Sequence, residues 1–399
     1  MTLLTRAGRM LAAGIVASTL TATAAPAQVP RIEGPHQEVP LEQAIQEGVD
    51  WLVANQRENG AWGSHHSPRP IEVFCSVPGS HRAFRLATTG LCLIALLHSP
   101  YQTEASAQAF EKGLNYMMAD MNVKRMSGLE HYTVWGFGYM LRAMGETLLA
   151  KPDHPRAEEM RKACDFLIEK LGRYQSLDGG WGYLSIIGLK SYQPAASSMS
   201  FTTASILIGL HRVQEAGVKV PETMVDRALK AVARCRLPDG GWTYGEMWNA
   251  NPIMGINRPK GSACRAPTCH LALDLFGRRL GAPDEEKRIL DDLLIRYARF
   301  QTVSLRRPIP HESWYQISGY FFLYGHSYAG LLLDREDPED ARRHATLLEK
   351  AIYQTRQPDG SFWDYPLYSY HKPYGTAYAL IALEEIADLR ARSKRVEQL

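Results

Sequence analysis

A short frame recurs four times along the chain and constrains everything around it. Gln56-Arg-Glu-Asn-Gly-Ala-Trp62-Gly63 and Gln175-Ser-Leu-Asp-Gly-Gly-Trp181-Gly182 carry Gln, Gly and Trp at the same offsets. Arg236-Leu-Pro-Asp-Gly-Gly-Trp242 replaces the Gln, and Arg356-Gln-Pro-Asp-Gly-Ser-Phe362 replaces the Trp as well. The aromatic residues stand at 62, 181, 242 and 362, so the gaps are 119, 61 and 120 residues. That is one period of about 60, with two worn copies near 121 and 302. Six units follow, each one piece of supersecondary structure that must stack on its neighbours to bury its apolar face.

Between the frames the pattern alternates. Leu41 to Asn55 places Ala44, Ile45, Val49, Leu52 and Val53 at helical spacing, whereas Phe84 to His98 is apolar almost all round. One-faced helices are expected again at about 104–121, 156–171, 221–235, 284–300 and 338–355, and all-apolar ones at about 131–149, 199–214, 263–277, 318–334 and 374–388. A helix apolar on every side is buried and a one-faced helix lies outside it. Six buried helices ringed by six outer ones make an all-α (α/α)6 toroid over 41–388. No segment reads as a strand of period two, so almost no sheet is expected.

The ends read differently. Arg6 and Arg9, the apolar run Leu11 to Leu20 and Ala25-Pro26-Ala27 form the pattern of a cleaved signal peptide over 1–27, which predicts a periplasmic or secreted protein without stable membrane insertion. A lead-in covers 28–40 and a polar tail 389–399. Removing 1–27 takes two Arg from the 45 basic residues and none from the 42 acidic ones, leaving a net charge of +1. Nothing there calls for nucleic acid. Six Cys, at 75, 92, 164, 235, 264 and 269, are open to disulfide pairing in an exported chain or to packing as buried thiols.

The inner helices align with one another. Ala87 to Leu96, Trp135 to Met144, Phe201 to Leu210, Ala266 to Leu275, Tyr324 to Leu333 and Tyr374 to Leu383 give one column of Thr89, Phe137, Thr203, Thr268, His326 and Thr376. The next column is small throughout: Gly90, Gly138, Ala204, Cys269, Ser327 and Ala377. Both suit close helix packing, with each Thr hydroxyl bonding back to its own helix.

The Gln-x3-Gly-x-Trp frame at this period, with inner helices of the Tyr-Gly-Thr-Ala-Tyr-Ala-Leu type, resembles the prenyltransferase and squalene-cyclase repeat superfamily across about 41–388. In that family the motif is structural. The resemblance implies that Gln56, Trp62, Gln175, Trp181, Trp242 and Phe362 clamp the repeats together. The departures bear on activity. The chain has no Asp-x-Asp-Asp acid, and Asp291-Asp292 is followed by Leu293-Leu294-Ile295, so no Asp-Asp-x-x-Asp motif exists. Asp291-Asp292 reads as solvated charge on an outer helix. No Asp-x-Cys of the protein prenyltransferase type is found.

Candidate chemistry lies where the repeats break pattern. His270 and Asp274 are i and i+4 on one helix face, the arrangement of an imidazole oriented by a carboxylate, and His326 replaces Thr in its column. These three are the catalytic candidates. Cys269-His270 resembles the adjacent Cys-His zinc ligands of lanthionine-synthetase cyclases, but the neighbouring helix offers Ser198, Ser200 or Ser205 rather than Cys, so no cofactor is expected beyond that zinc alternative. His131, Tyr132, Trp135, Tyr320, Tyr324 and Tyr374, at the starts of inner helices, are expected to line one mouth of the toroid and bind a ligand. Core packing accounts for the same residues equally well. The expected partner is a small apolar molecule, in the family's case isoprenoid, or a glycan. An apolar-ligand toroid, a non-catalytic ligand- or protein-binding toroid and a carbohydrate-active (α/α)6 enzyme all remain open at this point.

Overall fold

The computed structural model describes residues 38–397 apart from 68–77, 124–131, 184, 188, 189, 193, 196, 304, 307–316 and 318. Among the described residues twelve main helices alternate between two layers. The outer ones are α1 (Leu41–Ala54), α3 (Glu104–Ala119), α5 (Ala157–Tyr174), α7 (Glu222–Arg234), α9 (Glu285–Asp291) and α11 (Pro338–Tyr353). The inner ones are α2 (Pro78–His98), α4 (Thr133–Ala150), α6 (Ser200–Glu215), α8 (Ala266–Leu275), α10 (Phe322–Gly330) and α12 (His371–Glu397). Each inner helix packs on the next, and α12 packs on α2, so the inner ring closes. This is the (α/α)6 toroid. A small antiparallel hairpin, β1 (Ser185–Ile187) with β2 (Lys190–Tyr192), sits between α5 and α6.

The two layers differ as their sequences require. On α5 the buried residues are Met160, Ala163, Cys164, Leu167, Ile168 and Leu171, one stripe at steps of three and four. On α4 every residue from Thr133 to Leu148 except Trp135 is buried.

The repeated frame is one tight turn built four times. In each copy an Asn or Asp accepts the backbone N–H two residues on: Asn59 from Ala61, Asp178 from Gly180, Asp239 from Gly241 and Asp359 from Ser361. The next residue is Gly60, Gly179, Gly240 or Gly360, with φ of 91°, 105°, 94° and 83°. These are left-handed positions that a side chain strains. A Cβ on Gly60 or Gly179 would also strike the carbonyl of Lys112 or Arg227 on the following outer helix.

Beyond the turn the motif residues act as clamps. Trp62 donates its indole N–H to Leu52 O and Trp181 to Leu171 O, tying each loop to its own outer helix. Gln56 donates to Ala109 O on α3, and Gln175 to Met224 O on α7, tying the same loop to the next unit. Where Gln is lost, an ion pair takes over. Arg236 reaches Glu285 on α9 at 2.5 Å, and Arg356 pairs with Glu47 on α1, joining the last unit to the first.

The Thr column does more than pack. Thr89, Thr203 and Thr376 accept the backbone N–H of Trp62, Trp181 and Phe362, so inner helix and motif loop are joined. In the fourth unit Ser262, not Thr268, accepts the Trp242 N–H. The alignment above is therefore displaced by six residues there, because the inner helix begins with a separate turn at Pro259–Ser262.

Other details depart from expectation. The fifth outer helix is not one α-helix over 284–300: α9 passes into a π turn, Asp292–Arg296, and then Ala298–Val303. Asp292 is buried between Arg288 and Arg296, at 2.8 Å from each, and Asp291 binds Arg343 and His344, so this acidic pair is engaged rather than merely solvated. The polar segment after 388 continues α12 to Glu397. The five described cysteines are free and buried; Cys75 lies outside the described residues.

Candidate functional site

The interior of the ring has three levels, set by residues one or two turns apart on each inner helix. On α4 they are Trp135, Tyr139, then Arg142 and Glu146; on α12, Tyr374, Tyr378 and Glu385; on α10, Tyr324 and Tyr328.

At mid-height the space is bridged. The Tyr139 hydroxyl lies 2.5 Å from that of Tyr378 and 3.3 Å from that of Tyr328, and Arg142 donates to Tyr328 at 3.3 Å. Ser205 of α6 joins through Tyr324 at 2.9 Å. Because α4 and α10 stand opposite in the ring, these bonds cross its centre. Burial pushes the Tyr139 and Tyr378 phenols well above their ordinary range, so both stay neutral and each can donate or accept.

Below the tyrosines lies a charged level. Burial opposes the charge of Glu146, but a contact from His98 together with Arg142 and Arg212 holds its carboxyl down to about 2.

Above them is an aromatic basin. The stacked rings of Trp135 and Tyr139 are 5.6 Å apart, and Trp135 meets Tyr324 edge to face at 6.4 Å. Phe201 packs against Phe321 at 4.8 Å and Tyr244 at 5.0 Å, and Tyr320 touches Phe321 at 4.6 Å. Tyr132 contacts Tyr183 at 5.1 Å, and the Trp135 indole N–H donates to the Tyr183 hydroxyl at 3.1 Å. Although these residues belong to the core of the ring, Trp135, Tyr183, Tyr244 and Tyr320 are only half-buried. Asp364, in the wall, accepts the Leu323 N–H and the Tyr374 hydroxyl, each at 2.9 Å, while burial raises its carboxyl to about 6.

The expected ligand-binding residues Tyr132, Trp135, Tyr320, Tyr324 and Tyr374 are thus brought together; His131 lies outside the described residues. The catalytic candidates are not. His270 pairs with Glu286 of α9 at 2.7 Å and Asp274 with Arg335 at 2.7 Å, so each has a partner on another segment and the two do not bond one another. The six-residue displacement explains the misplacement: His270 points between the layers, not into the ring. His326 donates from Nδ1 to Phe322 O at 2.7 Å and stacks on the Phe322 ring at 4.1 Å. Burial lowers its imidazole to about 4, leaving it neutral. Cys269 and His270 face different partners, Ser200 and Glu286, and no group of three metal-ligating side chains occurs among the described residues.

Sequence reasoning missed Tyr139, Tyr328, Tyr378, Arg142 and Glu146. Two signals were present. The three tyrosines share the alignment column in which His270 was misplaced, and Arg142 with Glu146 is an i, i+4 charged pair inside an otherwise apolar helix.

The fold of the α-1,6-mannanase structures below agrees with this architecture. The family model for the squalene-hopene cyclase C-terminal domain matches residues 27–205, in keeping with the repeat resemblance. The α-1,6-mannanase GH76A of Salegentibacter sp. HEL1_6 is 11% identical, covering 88% of this chain and 100% of its own, with a TM-score of 0.55. An inactive variant of that enzyme in complex with α-1,6-mannotetrose gives 10% identity, 88% and 100% coverage and a TM-score of 0.54. A variant of the type II terpene cyclase MstE from Scytonema, in complex with geranylgeranyl dihydroxybenzoate, is 13% identical over 88% of this chain and 97% of its own, with a TM-score of 0.48. No curated protein matches in sequence.

Proposed function

We propose that the chain is a ligand-binding toroid whose aromatic basin takes the apolar body of one small molecule, with the tyrosine layer as its floor. The observation that carries this reading is the aromatic group above the tyrosine floor, in which Trp135, stacked on Tyr139, stays only partly buried. An aromatic surface that stays partly accessible packs further against an apolar occupant and gains dispersion contacts from it. The family match over 27–205 supports an apolar ligand, and the signal-like pattern of 1–27 supports an exported protein.

Binding rather than turnover is favoured by the polar groups in view. Asp364 is committed to Leu323 and Tyr374, and the floor hydroxyls to one another. A glycan is the competing occupant, since aromatic faces also stack on sugars. Calorimetric titration with decanol and with a mannose oligosaccharide separates the two. The proposal expects saturable, one-to-one binding of decanol, weakened at least tenfold in Trp135→Ala. Binding of the oligosaccharide alone would replace it with the glycan reading, and binding of neither would overturn it.

A further inference from the structure

Arg265 is 1% exposed and sits at the N-cap of α8, with its guanidinium 5.3 Å from the centres of both the Tyr244 and Phe321 rings. Its terminal nitrogens donate to Gly261, Trp242 and Ile256 carbonyls, and its Nε has no hydrogen-bond partner. Among the described residues no carboxylate pairs with it. The contrast with other buried arginines is informative. Arg142 has Glu146, Arg356 has Glu47, and Arg306 has the field of Asp364 beside it. A buried charge without a counter-ion is costly, and such charges are ordinarily paired.

The surroundings add to the imbalance. Basin residues stand at or next to the first turn of five inner helices: Tyr132 on α4, Phe201 on α6, Arg265 on α8, Phe321 on α10 and Tyr374 on α12. The positive ends of those helix dipoles therefore surround the same space. The hydroxyls of Tyr244 and Tyr320, 3.2 Å apart, lie in the same aromatic group as the rings that flank Arg265.

We infer that the ligand of the basin carries a single anionic group, a carboxylate or a phosphate monoester, which supplies the missing counter-charge to Arg265. The inference rests on the basin being the binding site. The apolar body lies on Trp135 and Tyr324, and the head is placed toward the α8 and α10 wall, on the side of the Tyr244 and Phe321 rings that flank Arg265. Burial lowers the Arg265 guanidinium from its ordinary value, and an arginine in a protein keeps its charge at neutral pH.

The test is calorimetric titration of the whole protein with decanoate, decyl phosphate and decanol, which share a tail and differ in the head, each below self-association. At least one anionic probe should bind tenfold or more tightly than decanol, and the preferred one identifies the head as carboxylate or phosphate. Arg265→Gln should bring that probe to the level of decanol, and Arg265→Lys should keep a preference for the anion. Equal affinities for all three probes in the unmodified protein would overturn the inference while leaving the basin standing, as would a preference that survives in Arg265→Gln. Failure of every probe to bind would overturn both. Should Arg265→Gln not fold, the Lys variant and the salt dependence decide. The anionic preference should fall as salt is raised while decanol binding does not, and a preference indifferent to salt would contradict the inference.

Discussion

Tyr139 and Tyr328 come from opposite walls of the ring, and their hydroxyls meet at 3.3 Å. The centre of the toroid is therefore closed at that level, and the ligand site we propose lies above it, among the aromatic side chains of the mouth.

Trp181 is fully buried and its indole N–H is bonded to Leu171 O. Trp181→Ala should cost about 3–5 kcal/mol in urea unfolding, the range for removing a large buried aromatic side chain. Thr203→Val keeps the shape and removes the acceptor of the Trp181 N–H; it should cost about 1–3 kcal/mol, because a buried donor is left unpaired. A loss below the precision of the measurement in both variants would show that the motif is not a clamp.

His270 and Glu286 are buried together, and Arg279 also reaches Glu286. His270→Ala should lower stability by about 1–3 kcal/mol through the lost bond and cavity and leave decanol binding as it was. A variant as stable as the parent but unable to bind would return His270 to the site.

The ring is closed at one seam by Arg356 and Glu47. A double-mutant cycle on Arg356→Met and Glu47→Gln should give a coupling of about 1 kcal/mol that shrinks in high salt, since the pair is partly exposed. The Gln56 and Gln175 clamps are neutral, so Gln56→Ala should show no comparable salt dependence. Equal salt sensitivity in the two would contradict the division of roles.

Burial, with Asp334 and Asp388 nearby, raises the Glu385 carboxyl to about 7. In the unfolded chain it loses its proton in the usual carboxylate range, so the folded state binds more protons in between. Stability should fall as pH rises from the usual carboxylate range to about 7, by roughly 1–3 kcal/mol. Glu146 works in the other direction: its stabilisation is present above the usual carboxylate range and is lost as pH falls toward about 2. Glu385→Gln should flatten the decline on the neutral side in a series of melting curves. A decline unchanged in that variant would place its source elsewhere, with Glu384, also raised by burial, the next residue to replace.

The fold was legible because each letter of the repeat answers a local demand. Gly60 and its counterparts hold a backbone angle that other residues resist, Asn59 and Asp178 close the turn, and Trp62 and Trp181 fill a fixed space, so the period survives in the sequence. The mouth was partly legible, since Tyr132, Trp135 and Tyr324 mark the starts of inner helices. The centre was not. Inner helices are apolar on every side, so which residue faces the axis depends on register to a single position. In the fourth unit, the break before α8 moves the register by six, turning His270 toward α9 and making Ser262 the partner of Trp242. Long-range pairings such as Asp274 with Arg335 leave no trace in local spacing.

The measurement that bears most directly on the account is native mass spectrometry of the mature protein purified without detergent or organic extraction. It predicts a stoichiometric adduct in the mass range of a single small amphiphile, released on denaturation and lost in Trp135→Ala. A bare chain that also takes up no added decanol or decanoate would contradict it, because the basin would then hold neither a native ligand nor an apolar probe.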